Sequence, residues 1–376
     1  MNKIQMVDLK GQYLKIKPEV DAAIQSVIDS TSFINGQAVK DFAANLEKYL
    51  GVKHVIPCGN GTDALQIAMM ALKLKPGDEV IVPAFTYVAT AEVIGLLGLT
   101  PVMVDVNPKT FTVERQNIVK AITANTKAIV PVHLFGQSCD MEPILKLAKE
   151  QGLYVIEDNA QAIGAEYTFS DGRKAKTGTM GTIGCTSFFP SKNLGCYGDG
   201  GALCTNDDAL AERIRMVANH GQKKKYYHSV IGCNSRLDTI QAAILGVKLH
   251  HLDEYSHARH EAAEYYSKNL KDVTGIEVPF EAENSTHVFH QYTLKVLDGK
   301  RDALKKHLEE NGIPSMIYYP LPLQEQEAFK HITRTAESLC NAKELSSSVL
   351  SLPMHTELDE DMQDYIITKI VEFFET

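Results

Sequence analysis

Short apolar runs alternate with segments of helical periodicity between about residues 52 and 206. The runs are rich in β-branched residues and predict strands, whereas apolar residues that recur every three or four positions predict helices. The predicted strands are 52–58, 79–85, 101–106, 126–136, 153–158, 183–189 and 201–206, and the predicted helices between them are 63–74, 89–99 and 141–152. Nearly continuous apolar strands that alternate with helices predict a mostly parallel sheet that is covered on both faces.

The end of this region and the C-terminal third follow a different pattern. Segments 183–189 and 201–206 have no helix between them, so one of these two strands is expected to run antiparallel. A long helical pattern, 237–270, becomes more polar in its second half and is expected to lead into a smaller α+β unit. That unit has predicted strands at 286–296 and 314–319 and predicted helices at 301–312 and 358–375. We therefore predict a large domain, 1–250, that includes the N-terminal segment, and a small C-terminal domain, 251–376.

Composition narrows the classes of function. The net charge of −9 argues against non-specific binding to nucleic acid or to an anionic membrane. The seven cysteines show no CxxC pair, which favours buried, reduced thiols of a cytoplasmic protein. The N-terminus lacks the apolar core of a signal peptide, and the longest apolar run, 88–106, is interrupted by Glu92, Gly98 and Pro101. We expect neither a membrane span nor a metal site.

Chemistry is expected where the strands end, because ligands of open α/β sheets bind beyond the carboxyl ends of the strands. The first strand is followed by "CGNGTDAL", in which Gly59 and Gly61 allow a tight turn and Thr62 and Asp63 open the next helix. The free N–H groups and the dipole of a helix start suit a phosphate. The alternative is an ordinary strand-to-helix turn capped by Thr62 or Asp63.

Two other strand ends carry candidate groups. "PAFTYVAT" follows the second strand, and Phe85 or Tyr87 could stack on a flat ligand or pack in the core. "EDNAQAIGA" ends the fifth strand with Asp158, followed three residues later by Gln161. A buried carboxylate needs a cation, which could be a protonated ring nitrogen, an arginine or a metal. The alternative is that Asp158 caps a helix.

A single lysine follows the sixth strand in "CTSFFPSKNLGCYGDGG". Ser187 and Ser191 offer hydroxyl groups next to Lys192, and a glycine-rich turn follows. By itself Lys192 could be a surface residue. Three features meet at one edge of one sheet: a helix start that suits a phosphate, an acid, and a lysine. Together they are the set that pyridoxal 5'-phosphate requires, because that cofactor needs a lysine for its Schiff base and an acid to keep its ring nitrogen protonated.

Five blocks resemble the DegT/DnrJ/EryC1/StrS family of sugar aminotransferases: "NGTDAL", "PAFTYVAT", "VIEDNAQAIGA", "SFFPSKNLGCYGDGGA" and "NSRLDTIQAAIL". They occur in the family's order, and the resemblance extends from "VDLKGQ" near the start to "SLPMHTELD" near the end. It implies an α/β fold of pyridoxal phosphate fold type I, like that of aspartate aminotransferase. Such a fold has a mostly parallel, seven-stranded sheet in a large domain and a smaller α+β C-terminal domain.

The resemblance also implies roles for individual residues. Lys192 would form the Schiff base, with Asp158 on the pyridine nitrogen as the second catalytic residue. Arg236 and Tyr319 would meet the substrate. Asn234 would reach the phosphate from a neighbouring subunit, so the enzyme would be a homodimer with shared active sites. The complete set of implied cofactor-binding residues is Gly61, Thr62, Tyr87, Asp158, Gln161, Ser187, Lys192 and Asn234.

Within the family, the blocks are most similar to the UDP-2-acetamido-2-deoxy-3-oxo-glucuronate aminotransferases. This similarity implies L-glutamate as amino donor, a nucleotide-linked keto-sugar as acceptor, and a role in surface polysaccharide such as lipopolysaccharide O-antigen. Close relatives carry histidine where this chain has Tyr318. A dTDP-3-keto-6-deoxyhexose or a UDP-4-keto sugar therefore stays open as the substrate. Lys223 to Lys225 could meet the diphosphate or form a solvated basic loop.

Other functions fit the residues less well. A nicotinamide oxidoreductase would need a third glycine that "CGNGTDAL" lacks. A sugar dehydratase of the same family would carry histidine in place of Lys192. A regulator on the same scaffold would be expected to lose Lys192 or Asp158, and both are present.

Overall fold

A central eight-stranded sheet organises the protein, whose computed structural model describes residues 3–375. The strands are β1 His54–Cys58, β2 Glu79–Pro83, β3 Thr100–Val104, β4 Thr126–Ile129, β5 Tyr154–Asp158, β6 Glu166–Thr168, β7 Lys174–Lys176, β8 Ile183–Ser187, β9 Gly201–Thr205, β10 Gln222–Lys224, β11 Tyr227–His228, β12 Ile276–Glu277, β13 Tyr292–Val296, β14 Arg334–Thr335 and β15 Val349–Leu352. The helices are α1 Leu9–Ser30, α2 Gln37–Leu50, α3 Gly61–Ala71, α4 Ala89–Leu96, α5 Arg115–Ala121, α6 Met141–Gln151, α7 Asp208–Ala218, α8 Thr239–Leu249, α9 Leu252–Leu270, α10 Arg301–Glu310, α11 Cys340–Ser348 and α12 Glu360–Glu375.

The large sheet has the order β1-β9-β8-β5-β4-β2-β3-β14 and is mostly parallel. Only β9 runs against its two neighbours, which confirms that one of the two strands without a helical crossover is antiparallel. The seven predicted strands are all present. The eighth, β14, is a two-residue strand from the C-terminal part of the chain, and Arg334 in it pairs with Glu79 of β2 at 2.9 Å.

The core explains why the strands lack polar alternation. Val80, Ile81 and Val82 are fully buried in succession, so both faces of β2 are covered. Helix α3 packs against β8, and α4 and α6 pack against strands of the same sheet. The α/β architecture predicted from the sequence is thus confirmed.

The long helical pattern at 237–270 is divided, contrary to the prediction of one continuous helix. Helix α8 ends at Leu249 and α9 begins at Leu252. The two helices pack in different places: Leu245 belongs to a cluster with residues of α2, whereas Tyr266 and Leu270 belong to the C-terminal cluster. A break between them lets each apolar face meet its own core.

The C-terminal part contains a small antiparallel sheet, β12-β13-β15, against which α9, α10 and α12 pack. The strand predicted at 314–319 is absent, and only Met316 makes an isolated bridge to Ser351. The segment instead carries Tyr318 and Tyr319 to the large sheet. The domain boundary at residue 250 stays a prediction. None of the helices described is long and apolar enough to cross a membrane.

Candidate active site

A cavity of about 630 Å³ opens at the carboxyl ends of β1, β2, β5 and β8. Because these strands run in the same direction, the residues that follow them meet at one edge of the sheet. The cavity is lined by eight of the residues named from the sequence: Gly61, Thr62, Tyr87, Asp158, Gln161, Ser187, Lys192 and Tyr319.

The turn after β1 presents a helix start to this cavity. Asn60 is the N-cap of α3, and its side-chain oxygen accepts the N–H of Asp63 at 2.8 Å. The prediction of Thr62 or Asp63 as the cap was therefore wrong. A Cβ on Gly61 would lie 2.7 Å from Cβ of Ser187, so only glycine lets β8 approach the turn this closely. The N–H groups of Gly61 and Thr62 have no partner inside the helix and are available to an anion.

Asp158 is fixed at the end of β5. Its backbone N–H donates to Pro131 O at 2.9 Å, and its carbonyl accepts the N–H of His133 at 3.1 Å. Its carboxylate accepts hydrogen bonds from Oγ1 of Thr90 at 2.7 Å and from the N–H of Ala160 at 3.1 Å. Both donors are neutral, and among residues 3–375 no cationic side chain contacts this buried carboxylate.

The neighbouring acid, Glu157, serves a different purpose. It accepts the N–H groups of Gly178, Met180 and Gly181 at 2.6–2.8 Å, and it contacts Nε2 of His133 at 2.9 Å. Nδ1 of His133 accepts the N–H of Cys139, so the ring proton lies on Nε2 and is donated to Glu157. Glu157 therefore holds the loop before β8 and does not line the cavity.

Lys192 lies in the loop 188–200 that joins β8 to β9, and Ser187 and Gly201 are paired at the base of this loop. Burial lowers the pKa of Lys192 to about 8, although the nearby Asp158 acts in the opposite direction. No hydrogen-bond acceptor for its Nζ is found among the residues described. The loop is held from the α8 side by Lys248, which is buried and donates to Gly195 O at 2.6 Å. The structure thus presents a free amine on a fixed loop.

Polar and aromatic groups border the cavity on the side of β2. The amide of Gln161 accepts the N–H of Phe135 at 2.8 Å and donates to Oη of Tyr319 at 3.1 Å, which fixes its orientation. Of the two aromatic candidates after β2, Phe85 is buried, whereas Tyr87 is 57% exposed and lines the cavity. Tyr87 is therefore the ring that a flat ligand could contact.

The C-terminal part of the chain contributes groups that the sequence analysis did not identify. His290 and Gln291 line the cavity. Burial, Lys192 and Arg259 lower the pKa of His290 well below its usual value, so its ring is neutral. Arg259 is buried and donates to the carbonyls of Phe289, His290 and Met354 at 3.1–3.4 Å, which fixes this segment. No periodic pattern in the sequence places these residues near the sheet.

Asn234 and Arg236 do not line the cavity. Asn234 is exposed and Arg236 is half-buried. Ser235 between them accepts the N–H of Gly59 at 2.9 Å and donates to Asp63 at 2.5 Å, so the segment is attached beside the start of α3. The segment thus lies next to the cavity, but these two side chains are not part of its lining.

The basic segment 223–225 lies in the exposed hairpin of β10 and β11 and is not part of the cavity lining. Lys223 pairs with Glu212 at 2.5 Å, and Lys224 and Lys225 lie about 5 Å from the ring centres of Tyr227 and Tyr226. This hairpin is exposed to solvent.

The lining residues fit the cofactor expected from the sequence. The helix start of α3 suits a phosphate, the free amine of Lys192 suits an aldehyde, and the buried Asp158 without a contacting cation suits a protonated ring nitrogen. The described residues contain no group of three or more His, Cys, Asp or Glu side chains that could hold a metal ion.

Comparison with known proteins gives a consistent result. The model of the DegT/DnrJ/EryC1/StrS aminotransferase family matches residues 14–371. A crystal structure of a DegT DnrJ EryC1 StrS aminotransferase from Brucella abortus is 42% identical, covers 99% of this chain and 100% of its own, and superposes with a TM-score of 0.95.

Three relatives of known name match over nearly their full length. The pleiotropic regulatory protein of Geobacillus stearothermophilus is 48% identical over 99% of this chain and 98% of its own. The UDP-2-acetamido-2-deoxy-3-oxo-D-glucuronate aminotransferase of Pseudomonas aeruginosa is 46% identical over 95% and 96%. The UDP-N-acetyl-3-dehydro-alpha-D-glucosamine 3-aminotransferase of Acidithiobacillus ferrooxidans is 44% identical over 98% and 97%.

Proposed function

Because this chain belongs to the DegT/DnrJ/EryC1/StrS aminotransferase family, we propose that it moves an amino group from L-glutamate to the ketone of UDP-2-acetamido-2-deoxy-3-oxo-glucuronate. The enzyme is a sugar aminotransferase that depends on pyridoxal 5'-phosphate. The proposal adds the two substrates, the residues that act on them and a role in surface polysaccharide such as lipopolysaccharide O-antigen.

One observation carries the proposal: Lys192 and Asp158 line the same cavity. A phosphorylated pyridine aldehyde would need such an amine for its aldehyde and such an acid for its ring nitrogen. A regulator would have no use for this pair, so we interpret the likeness to a protein named as a pleiotropic regulator as likeness of scaffold. A dehydratase of this family would carry histidine in place of Lys192.

Bound pyridoxal phosphate supplies an aldehyde that takes up the amino group and a ring that stores the electron pair. Lys192 moves the proton. Burial lowers the pKa of Lys192 to about 8, which favours the unprotonated amine near neutral pH, so Nζ can take a proton from the α-carbon of glutamate and release it again. An unshifted lysine would be almost entirely protonated at that pH.

The other residues that line the cavity would bind and orient the cofactor and the sugar. The carboxylate of Asp158 would stabilise the proton on the ring nitrogen, and Tyr87 would cover one face of the ring. The N–H groups of Gly61 and Thr62, together with Ser187, would bind the phosphate. Gln161 would contact the ring hydroxyl, and its fixed amide would make that contact directional. Tyr319 meets the sugar.

We further propose that the active enzyme is a homodimer. Asn234 and Arg236 do not line the cavity of their own chain, and they would serve the cavity of the partner, Asn234 at the phosphate and Arg236 at a carboxylate. The free cysteines and a nucleotide-sugar substrate fit an enzyme of the cytoplasm.

A half-reaction screen tests the substrate. The purified protein, converted to its pyridoxamine phosphate form, is mixed with a panel of keto-sugars, and return of the aldehyde-form absorbance is recorded. The panel holds the UDP-linked 3-oxo-glucuronate, the UDP-linked 3-keto-glucosamine that lacks the carboxylate, a dTDP-3-keto-6-deoxyhexose and a UDP-4-keto sugar. We expect the fastest return with the uronate, and none with any sugar in the Lys192→Ala variant.

The panel separates the candidate substrates. A faster return with 3-keto-glucosamine would remove the uronate proposal and a role of Arg236 at the sugar carboxylate, but it would leave the aminotransferase and a role of Arg236 at the carboxylate of glutamate. A faster return with either of the other sugars would show that Tyr318, where close relatives carry histidine, accompanies a different acceptor. If no keto-sugar restored the absorbance, the proposed function itself would be wrong.

A further inference from the structure

Thr90 contacts the acid of the site without lining the cavity. It lies in the first turn of α4, is fully buried, and donates its hydroxyl proton to Oδ2 of Asp158 at 2.7 Å. The cavity lining includes Thr86, Tyr87 and Ala89 from the same segment but not Thr90. The hydroxyl of Thr90 is therefore connected to the cavity through Asp158.

The hydroxyl of Thr90 has no local task. A threonine inside a helix usually bonds to a carbonyl one turn earlier, or it caps the helix. Here the cap position is Val88, no side chain caps α4, and the acceptor of the Thr90 hydroxyl lies 68 residues away in the chain. A hydrogen bond to an ionised acceptor is about twice as strong as one between neutral groups. The contact joins α4 firmly to the end of β5.

The two donors together determine where the carboxylate of Asp158 points. Thr90 occupies one oxygen and the N–H of Ala160 the other, and the backbone of Asp158 is bonded to Pro131 and His133. A carboxylate has about four acceptor positions, so two remain. Because rotation of the carboxylate would break both hydrogen bonds, the remaining positions face the cavity in one fixed direction.

We infer that Thr90 is a positioning residue: its hydroxyl holds Asp158 in the orientation that keeps the proton on the ring nitrogen of the cofactor. The inference rests on the proposed function. Tyr87 and Thr90 then act from a single segment, Tyr87 on the face of the ring and Thr90 on the acid at its edge.

The test compares purified holoenzymes that differ in one hydroxyl group. Thr90→Val removes the hydroxyl at nearly constant volume, and Thr90→Ser keeps it. Thr205→Val is the matched control, because Thr205 is also buried and donates to a backbone carbonyl, that of Thr182, at the opposite end of β9. Each protein is titrated with acid and base while the visible absorbance of the bound cofactor is recorded, and kcat and KM are measured.

We expect Thr90→Val to move the pH midpoint of the cofactor absorbance upward by about half a unit or more. Without the Thr90 hydroxyl the ring nitrogen of the cofactor would lose its proton more readily. A neutral ring withdraws less charge from the nitrogen contributed by Lys192, so the pKa of that nitrogen rises. We also expect kcat to fall about ten- to a hundredfold with little change in KM. Thr90→Ser should restore both quantities, and Thr205→Val should leave both at the wild-type values.

Other outcomes overturn the inference. It is wrong if Thr90→Val keeps the wild-type midpoint and kcat, or if Thr90→Ser is impaired as much as Thr90→Val, which would mean that the methyl packing matters and the hydroxyl does not. Thr90→Ala replaces Thr90→Val should the valine protein fail to fold. A wild-type protein without cofactor absorbance would instead contradict the proposed function, so the two failures are distinguishable.

Discussion

Glu157 and Asp158 are consecutive residues at the end of β5, yet their carboxylates lie in different surroundings. Asp158 lines the cavity, whereas Glu157 accepts hydrogen bonds from three backbone N–H groups in the loop before β8 and from Nε2 of His133. The alternation of side chains along a strand produces this division. Neutralising Asp158 should therefore affect activity, whereas neutralising Glu157 should affect stability.

We expect Asp158→Asn to abolish transamination with little change in the free energy of unfolding. Glu157→Gln should instead lower that free energy by about 1–3 kcal/mol, because its amide NH₂ would face backbone N–H donors. Chemical denaturation and single-turnover rates on both variants provide the measurement. Equal loss of activity in two equally stable variants would contradict the division of roles.

The pH dependence of the half-reaction should report Lys192. Since its pKa is lowered from 10.5 to about 8, the fraction of free amine rises as the pH rises through 8. A step in which this amine takes up a proton should accelerate over the same window, with a midpoint near pH 8. Stopped-flow rates of the pyridoxamine form between pH 6 and 10, roughly the range in which the amine changes charge, give the profile.

A second buried lysine provides the control for this profile. The pKa of Lys248 is also lowered to about 8, but Lys248 bonds to Gly195 and lies off the cavity. Lys248→Met should retain the midpoint near 8. If the midpoint near pH 8 disappeared in Lys248→Met, the titrating group would be Lys248 and not Lys192.

The N-cap of α3 allows folding and phosphate binding to be separated. Asn60→Ala removes the cap and should lower the free energy of unfolding by about 1 kcal/mol. Asn60→Asp keeps the cap but adds a negative charge beside the phosphate site, so stability should be retained while the Kd for pyridoxal phosphate rises about tenfold. Thermal unfolding and cofactor titration of both variants check this; unchanged cofactor affinity in Asn60→Asp would place the phosphate elsewhere.

Mixing two inactive variants tests whether subunits share sites. Lys192→Ala lacks the amine, and Asn234→Ala lacks the group proposed for the partner's phosphate. In a mixed dimer, one cavity would combine an intact Lys192 with an intact Asn234 from the other subunit. Random exchange of subunits should therefore restore about a quarter of the wild-type activity. Activity no higher than the average of the separate variants would mean that Asn234 acts within its own subunit.

The alternating strands and helices of the large sheet could be predicted from the sequence. Apolar strands such as Glu79–Pro83 and the residues directly after them follow from periodicity and from the rule on strand ends. The edge strand Arg334–Thr335 could not be predicted, because two residues carry no pattern and the pairing depends on a contact with Glu79 far away in the chain.

The site shows the same limit. Asn60 could have been identified, since asparagine before "GTD" is a strong cap. His290 and Gln291 could not, because they reach the cavity only through the packing of the C-terminal part, where Arg259 holds their segment. Thr90 stood in a quoted motif, but its partner became evident only when α4 and β5 were seen together.

The loop that carries Lys192 starts and finishes at one point of the sheet, because Ser187 and Gly201 face each other across β8 and β9. Substitutions or insertions within a loop whose two ends are paired in this way leave the register of β8 and β9 intact. A descendant of this enzyme could thus acquire the histidine of a dehydratase, and with it another reaction, while inheriting the scaffold unaltered. The chemistry carried by the loop can therefore change while the strands on either side of it keep their pairing.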